Sequence, residues 1–315
     1  MSSDISVVVP TYQRPEQIEP LLATFAEQTI PPAEIIIVDG APPDDIRTET
    51  VVRQIAVDYP IPIRYIRSDR RGTSVQRNIG VEHAEHEFVA LIDDDIRLEP
   101  SFLEEIIRVL LADTDKRIGG VCGYIGNQHL DQISSLRWRL YRWLRLFSTY
   151  EPGRYDRQTG YPINTYMHPP FEGVREVDFL SGGYTVWRRE VFDGGLRFVP
   201  FFETGPLEDV HLSLRVATRW RLLQCGSARC QHLHAPSGRP NRQNAGYRAV
   251  INYWYTYRSA VPERGLMNNI RFWYVQLIWA SLLVIRGIRH TDKGCFVELA
   301  GRLHGTLDAL RLRVD

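Results

Sequence analysis

The sequence predicts an α/β fold: a mostly parallel central sheet flanked by helices, followed by a helical C-terminal extension. Three observations predict it. Short β-branched runs alternate with helical stretches through the first third of the chain. The polar residues Thr11, Asp39 and Asp93 to Asp95 all fall directly after such runs, where ligands of parallel sheets collect. From Arg248 onward the pattern is helical and strongly aromatic.

The elements follow in order. Ile5 to Val9 is a continuous apolar run, as expected of a strand buried on both faces, and Pro10-Thr11 ends it. Pro15 to Gln28 reads as a helix with Ile18, Leu21, Leu22 and Phe25 on one face. Glu34 to Asp39 is a second buried strand, stopped by Gly40 and the turn residues behind it. A helix through Val51 to Val57, a strand at Ile63 to Arg67, a helix over Ser74 to Ala84 and a strand over Glu87 to Ile92 complete the alternation. Right-handed crossovers then give a mostly parallel sheet. Residues 127–175 break the pattern with a basic-aromatic segment and a Gly/Pro/Tyr-rich stretch, including a turn at Arg157-Gln158-Thr159. They read as an insertion over the sheet edge, shaping one side of the ligand crevice. Regular structure resumes over Val177 to Trp187 and in a helix from Leu207 to Arg219.

Bulk properties remove whole classes of function. With 315 residues, 43% hydrophobic and 24% charged, the chain can bury a large core and is neither disordered nor fibrous. Lys plus Arg equals Asp plus Glu at 38 each, so no overall field selects nucleic acid. The four cysteines lack CxxC spacing, and the N-terminal residues lack a charged-then-apolar leader, which suggests a reducing cytoplasm. Cys225 and Cys230 are either a metal pair or small buried residues, the latter being the commoner use.

The richest chemistry is Asp93-Asp94-Asp95. Three adjacent carboxylates after an apolar strand repel one another, and a divalent cation bridging to a diphosphate relieves that repulsion. In an extended segment Asp93 and Asp95 share a face and Asp94 points elsewhere. A solvated acidic turn is the plain alternative. Glu208-Asp209 opens a helix whose buried stripe is Leu207, Val210, Leu214 and Ala217, which turns both carboxylates toward the crevice. The helix dipole favours ionised Asp209, whereas neighbouring Glu208 disfavours it. These two effects oppose, and the sequence leaves the winner open. A helix-terminal carboxylate without chemistry is the alternative for Asp209, and a turn cap is the alternative for Asp39.

The series Val7-Val8-Val9-Pro10-Thr11-Tyr12, Ile36-Ile37-Val38-Asp39-Gly40, Arg77-Asn78-Ile79-Gly80 and Leu91-Ile92-Asp93-Asp94-Asp95 resembles the family 2 glycosyltransferases. Gly182-Gly183, Arg188-Arg189 and the run from Leu207 to Arg215 continue the resemblance over about residues 4–235. It implies a GT-A fold over 1–235, with the insertion 127–175 inside it; beyond it, residues 236–315 read as an aromatic-rich helical extension, a candidate for membrane association. It implies sugar transfer from a nucleotide-diphosphate sugar, with inversion at the anomeric carbon and Mg²⁺ or Mn²⁺ as cofactor. By the same resemblance Pro10, Thr11 and Tyr12 line the nucleotide pocket, Asp39 contacts the base, and Arg77 lies in the donor pocket. Asp94 faces ribose or sugar, Asp93 completes the acidic motif, and Gly182 and Gly183 let the backbone approach the sugar. Asp95 and His232 ligate the metal, with His234 the runner-up, since many such histidines are merely exposed or hydrogen-bonded. Asp209 is the base, and Glu208 orients the acceptor. The chain departs from the family's commonest pattern at Leu207, where glycine or phenylalanine is frequent. UDP-sugars are the favoured donors, and a glycan or lipid-linked glycan the acceptor.

Two segments suggest peripheral contact at a membrane's cytoplasmic face. In 136–147, Leu136, Leu140, Trp143, Leu144 and Phe147 fall within roughly 100° of an ideal helix, with Arg137, Arg139, Arg142 and Arg145 elsewhere. The second, 272–285, lies between Arg271 and Arg286 and falls short of the ~20 residues needed to span. It reads as interfacial or hairpin-forming, with Trp273, Tyr274 and Trp279 at headgroup depth. Packing within the protein accounts for either segment equally simply. Two further functions compete with sugar transfer. A nucleotidyltransferase would want a glycine-rich signature, which PTYQRPEQ lacks, and an inactive scaffold would not need Asp95, Asp209 and a distal histidine together.

Overall fold

A computed structural model describes residues 4–128, 135–202, 205–235, 241–261 and 265–312. The insertion and the extension expected from the sequence each include a few residues outside that set. In chain order the elements begin β1 (Ile5–Thr11), α1 (Pro15–Ala26), β2 (Glu34–Asp39), α2 (Arg47–Ile55), β3 (Ile63–Arg67), α3 (Thr73–His83) and β4 (Phe88–Ile92). There follow β5 (Ile96–Leu98), α4 (Phe102–Ala112), β6 (Ile118–Ile125), α5 (Leu136–Trp143), β7 (Tyr155–Asp156), β8 (Tyr161–Pro162), β9 (Val174–Val177) and β10 (Tyr184–Arg188). The chain ends with α6 (Glu190–Asp193), α7 (Glu208–Val216), β11 (Arg221–His232), α8 (Arg242–Ala260), α9 (Leu266–Arg289) and α10 (Lys293–Arg311).

The chain forms two compact units, the first from 1–130, 164–203 and 208–238, the second from 131–163, 204–207 and 239–315. The first unit holds a nine-stranded sheet in the order β3-β2-β1-β4-β10-β6-β11-β5, with β9 also paired to β11. Strands β1 to β4, β6 and β11 run one way, and β5, β9 and β10 run the other. The β-branched runs justify this placement, because β1, β2 and β4 are buried along their whole length. Strand β1 runs on to Thr11, two residues past the expected end. The proline is tolerated because the β4 ladder stops at Val8↔Leu91, before Pro10 is reached. On α1 the expected stripe Ile18, Leu21, Leu22 and Phe25 is the buried one. Helix α3 lies tight on β1, where a Cβ at Gly80 would meet Val8 Cγ1 at 2.1 Å.

Connectivity creates the crevice. From β1 the chain steps outward to β2 and β3, then crosses back to β4 on the other side of β1. The reversal falls at the carboxyl ends of β1 and β4, the usual ligand position in such sheets. Thr11 closes one strand there, and Asp93 follows the other directly.

In the second unit α8 and α10 approach backbone to backbone. A Cβ at Gly301 would meet Gln243 O at 1.9 Å, and one at Gly305 would meet Tyr247 O at 2.6 Å. Aromatic rings fill the rest: Tyr257 stacks on Phe272 at 5.4 Å, and Trp254 lies 5.0 Å from Phe272. The turn at 157–159 forms between β7 and β8, capped by Asp156, which accepts bonds from Gln158 N and Thr159 Oγ1.

Two expectations need correction here. The helix at 136–147 ends at Trp143, and the chain turns at Arg145 with φ +51°. Its inward face is Trp138 and Tyr141, whereas Leu136, Leu140 and Trp143 are exposed. Aromatic size decides this: Trp138 and Tyr141 pack on each other at 5.5 Å, and Tyr141 packs on Trp279 at 5.3 Å. The segment 272–285 is no hairpin but the middle of the single 24-residue helix α9. Phe272 and Val275 are fully buried, and Trp273 and Trp279 are half-buried against other aromatic rings. No helix among the described residues is long and apolar enough to cross a membrane, and all four cysteines are free and buried.

Candidate active site

The first unit gathers its acidic groups through three interlocking contacts. At the end of β1, Thr11 Oγ1 donates to Asp94 Oδ2 at 2.8 Å, tying the two strand ends across the crevice. Arg14, at the mouth of α1, donates to Asp94 Oδ1 at 2.7 Å and lies 3.6 Å from Asp95 Oδ2. Burial pushes Asp94 up to about 6 although Arg14 and Thr11 oppose it. Arg14 was not among the residues expected from the sequence. It sits in a polar, proline-flanked stretch with nothing to mark it.

Asp95 and His232 form the second contact. Their Oδ1 and Nε2 atoms are 3.2 Å apart, and Asp95 Oδ2 accepts from Ala235 N at 3.0 Å. Burial works to raise Asp95, but the hydrogen bond and charge of His232, then Arg14, hold it below its ordinary value. His232 closes β11, where Asn127 bonds both its N–H and its carbonyl. Gln128 Nε2 lies 3.0 Å from His232 Nδ1 and also contacts His234 Nε2, the two imidazoles being 3.9 Å apart. No cluster of three or more His, Cys, Asp or Glu side chains able to hold a metal occurs among the described residues. A pair suffices for Mg²⁺ or Mn²⁺, which take one or two protein ligands with phosphate oxygens and water. Adjacent ligands on an octahedral ion of that size are about 3 Å apart, so the Asp95–His232 spacing fits.

The third contact is Arg77, only 2% exposed, on α3. It donates to Asp93 Oδ1 at 2.8 Å and to Glu208 Oε1 at 3.2 Å, and lies 5.5 Å from the centre of the Phe198 ring. Burial works against its charge, but Asp93, Glu208 and Asp209 together raise it above the ordinary arginine value. One guanidinium therefore joins the carboxylates after β4 to those that open α7. Arg77 is committed to these partners, a bracing position that its motif did not reveal.

Asp209 Oδ2 accepts from Gly182 N at 2.6 Å and Oδ1 from Val210 N at 2.7 Å. Burial raises Asp209 in spite of these backbone donors and Arg77. Glu208 is pushed up to about 7 by burial first and by Asp209 second, with Arg77 opposing. For Asp209 the opposition left open by the sequence is decided by burial, and like charge acts on Glu208 instead. The adjoining glycines have local reasons to be glycine. A Cβ at Gly182 would lie 2.9 Å from Arg77 Nη1, and Gly183, at φ +86°, would put one 2.2 Å from Asp93 Oδ2. Leu207 holds φ +82°, a left-handed angle that glycine adopts at less cost.

The remaining candidates stand along the strand ends. Asp39 is fully buried and accepts from Ala41 N and Tyr65 Oη, each at 2.8 Å. Gln76 bonds Thr11 O at 2.6 Å and Val38 O at 2.8 Å, clamping the ends of β1 and β2, and sequence reading missed it. Pro10 pairs with Val38 in the ladder, and Arg71 lies 4.2 Å above the half-buried ring of Tyr12. His211 is buried on α7, and its pKa is lowered to about 3, by burial first and Arg215 second.

Comparison with known proteins bears on the family and the fold. The hyaluronan synthase of Pasteurella multocida is 32% identical over 130 residues, a stretch that is 40% of this chain and only 13% of that protein. The mannosyltransferase PcManGT from Pyrobaculum calidifontis, solved with GDP-Man and Mn²⁺, superposes with a TM-score of 0.58 at 16% identity, over 98% of this chain and 87% of its own. GalNAc-T7, solved with UDP, GalNAc and Mn²⁺, gives 0.56 at 16% identity, over 82% and 49%. At such identity the likeness speaks to the fold, which is of the GT-A type. The family model described as glycosyl transferase family 2 matches residues 6–193, more than half of the chain, and the chain belongs to that family.

Proposed function

We propose that this chain transfers a sugar from a nucleotide-diphosphate sugar to an acceptor hydroxyl, with inversion at the anomeric carbon. The observation that carries the reading is the Arg77 bridge, which draws Asp93 and Glu208 to one guanidinium although 115 residues of sequence separate them. A single displacement needs leaving diphosphate on one side and a proton acceptor on the other. The acidic run after β4 serves the first need, and the pair that opens α7 serves the second.

In this reading Pro10, Thr11, Tyr12 and Asp39 line the nucleotide's side of the crevice, with Asp93, Asp94 and the Gly182–Gly183 backbone on the sugar's side. Asp95 and His232 hold Mg²⁺ or Mn²⁺, which supplies Lewis-acid stabilisation of negative charge on the departing diphosphate. Asp209 takes the acceptor's proton. Its two backbone donors fix its orientation, and its raised pKa makes it a stronger base than an exposed aspartate. Glu208 orients the acceptor and shares the pair's charge with Asp209. The Mn²⁺ and nucleotide ligands of the two structural neighbours support such a donor. A UDP-sugar remains favoured, and the acceptor is a glycan or lipid-linked glycan built at a membrane's cytoplasmic face.

Incubation with a panel of nucleotide sugars and Mn²⁺ tests the reading. Nucleoside diphosphate is the expected product. Pyrophosphate would mean nucleotidyl transfer, and no product from any donor would leave the scaffold reading. Asp209→Asn should spare donor binding and lower transfer by about 10²- to 10⁴-fold. Near-full turnover in that variant would remove Asp209 from its role.

A further inference from the structure

The chain is neutral overall, but its charge is unevenly divided. The second unit has 18 Lys and Arg against 8 Asp and Glu, a net charge of +10, which leaves −10 on the first. The same unit carries an unusual helix. Along α9 the buried Phe272 and Val275 face inward, yet Met267, Ile270, Tyr274, Leu277, Ile285 and Ile288 are between 39% and 67% exposed. They recur at helical spacing, with Ser281 in the gap, as one stripe roughly 80° wide and about 30 Å long. The helix contains no carboxylate, and its exposed cations Arg271, Arg286 and Arg289 stand toward its ends.

Helix α5 adds to this surface. Its Leu136 and Trp143 are 80% and 78% exposed between Arg137, Arg139 and Arg142, and Tyr274 Oη donates to Leu144 O at 3.2 Å, joining α5 to α9. A bare apolar stripe of this length marks an interaction surface. Charge selects the occupant. A second copy would bring +10 against +10, whereas an anionic bilayer attracts every arginine on the unit. Since α9 is not apolar enough to cross, it suits the plane of the interface.

We propose that α9, with α5 beside it, docks the second unit on an anionic lipid surface, the stripe at the headgroup–acyl boundary and the arginines against lipid phosphates. This deepens the membrane location given above, resting on that reading for its purpose but not for its chemistry.

Flotation of the full chain with vesicles tests it. The protein should float with equimolar phosphatidylcholine and phosphatidylglycerol, stay behind with phosphatidylcholine alone, and be released by salt. Leu277→Asp and Ile285→Asp, both at exposed positions, should each cut the bound fraction about tenfold, with circular dichroism and melting unchanged. Arg286→Gln with Arg289→Gln should weaken binding several-fold. Sedimentation without anionic vesicles, or flotation unaffected by Leu277→Asp, overturns the proposal. So does a dimer in light scattering that Leu277→Asp dissolves while no vesicle binding is seen, since the stripe is then a contact between copies. Product release from a soluble acceptor, assayed in parallel, reports on sugar transfer separately.

Discussion

Replacing Arg77 by methionine keeps most of the side-chain volume beside Phe198 and removes the charge. It strands Asp93 and Glu208, whose side chains are 31% and 13% exposed. Breaking a buried pair typically costs 3–5 kcal/mol. Partial exposure of Asp93 argues for the low end, about 3 kcal/mol, or a Tm lower by roughly 6–12 °C for units of this size. The pH dependence separates charge from packing. Glu208 is already raised to about 7 in the folded chain, above its value of about 4.3 when unfolded. A carboxylate raised on folding contributes stability that is present below the unfolded pKa and lost as pH rises through the folded one. Without Arg77 the folded pKa rises further, so more stability is lost by pH 8. The Tm gap between parent and Arg77→Met should therefore widen from pH 5 to pH 8, read by differential scanning calorimetry. A gap of constant size would refute the ionic account and leave Arg77 a packing residue.

Three other outcomes are expected. Glu208→Gln removes the like charge beside Asp209, so the acid limb of kcat/KM should move to lower pH; an unmoved limb would uncouple the pair. His232→Ala should weaken Mn²⁺-dependent donor binding by about tenfold or more in calorimetry, and a larger loss from His234→Ala would exchange their roles. Gly183→Ala must strain a φ of +86° and displace Asp93, lowering stability by about 1–3 kcal/mol and raising the donor KM.

Much of the fold was legible because its signals are local. Strands buried on both faces read as apolar runs, and α1 displays its inward stripe at helical spacing. The carboxylates were legible as well, since unpaired acids at strand ends demand an explanation. What stayed hidden were the cationic and amide partners. Arg14 and Gln76 look like ordinary surface residues until the strand ends meet, and a buried arginine such as Arg77 cannot be told from an exposed one by its neighbours in sequence. Helix α5 was legible in part. Leu136, Leu140 and Trp143 are exposed along the stripe that the periodicity gave, but the helix stops at Trp143 and Phe147 is buried.

The amide of Gln128 has a consequence for loading the site. A side-chain amide can present either its amino group or its oxygen to His232 Nδ1, 3.0 Å away. With the oxygen turned inward, Nδ1 carries the ring hydrogen and Nε2, on the Asp95 side, keeps its lone pair. With the amino group turned inward, the neutral ring carries its hydrogen on Nε2 instead. Glutamate at 128 would favour the first of these forms from the outset, and methionine would leave both forms unsupported.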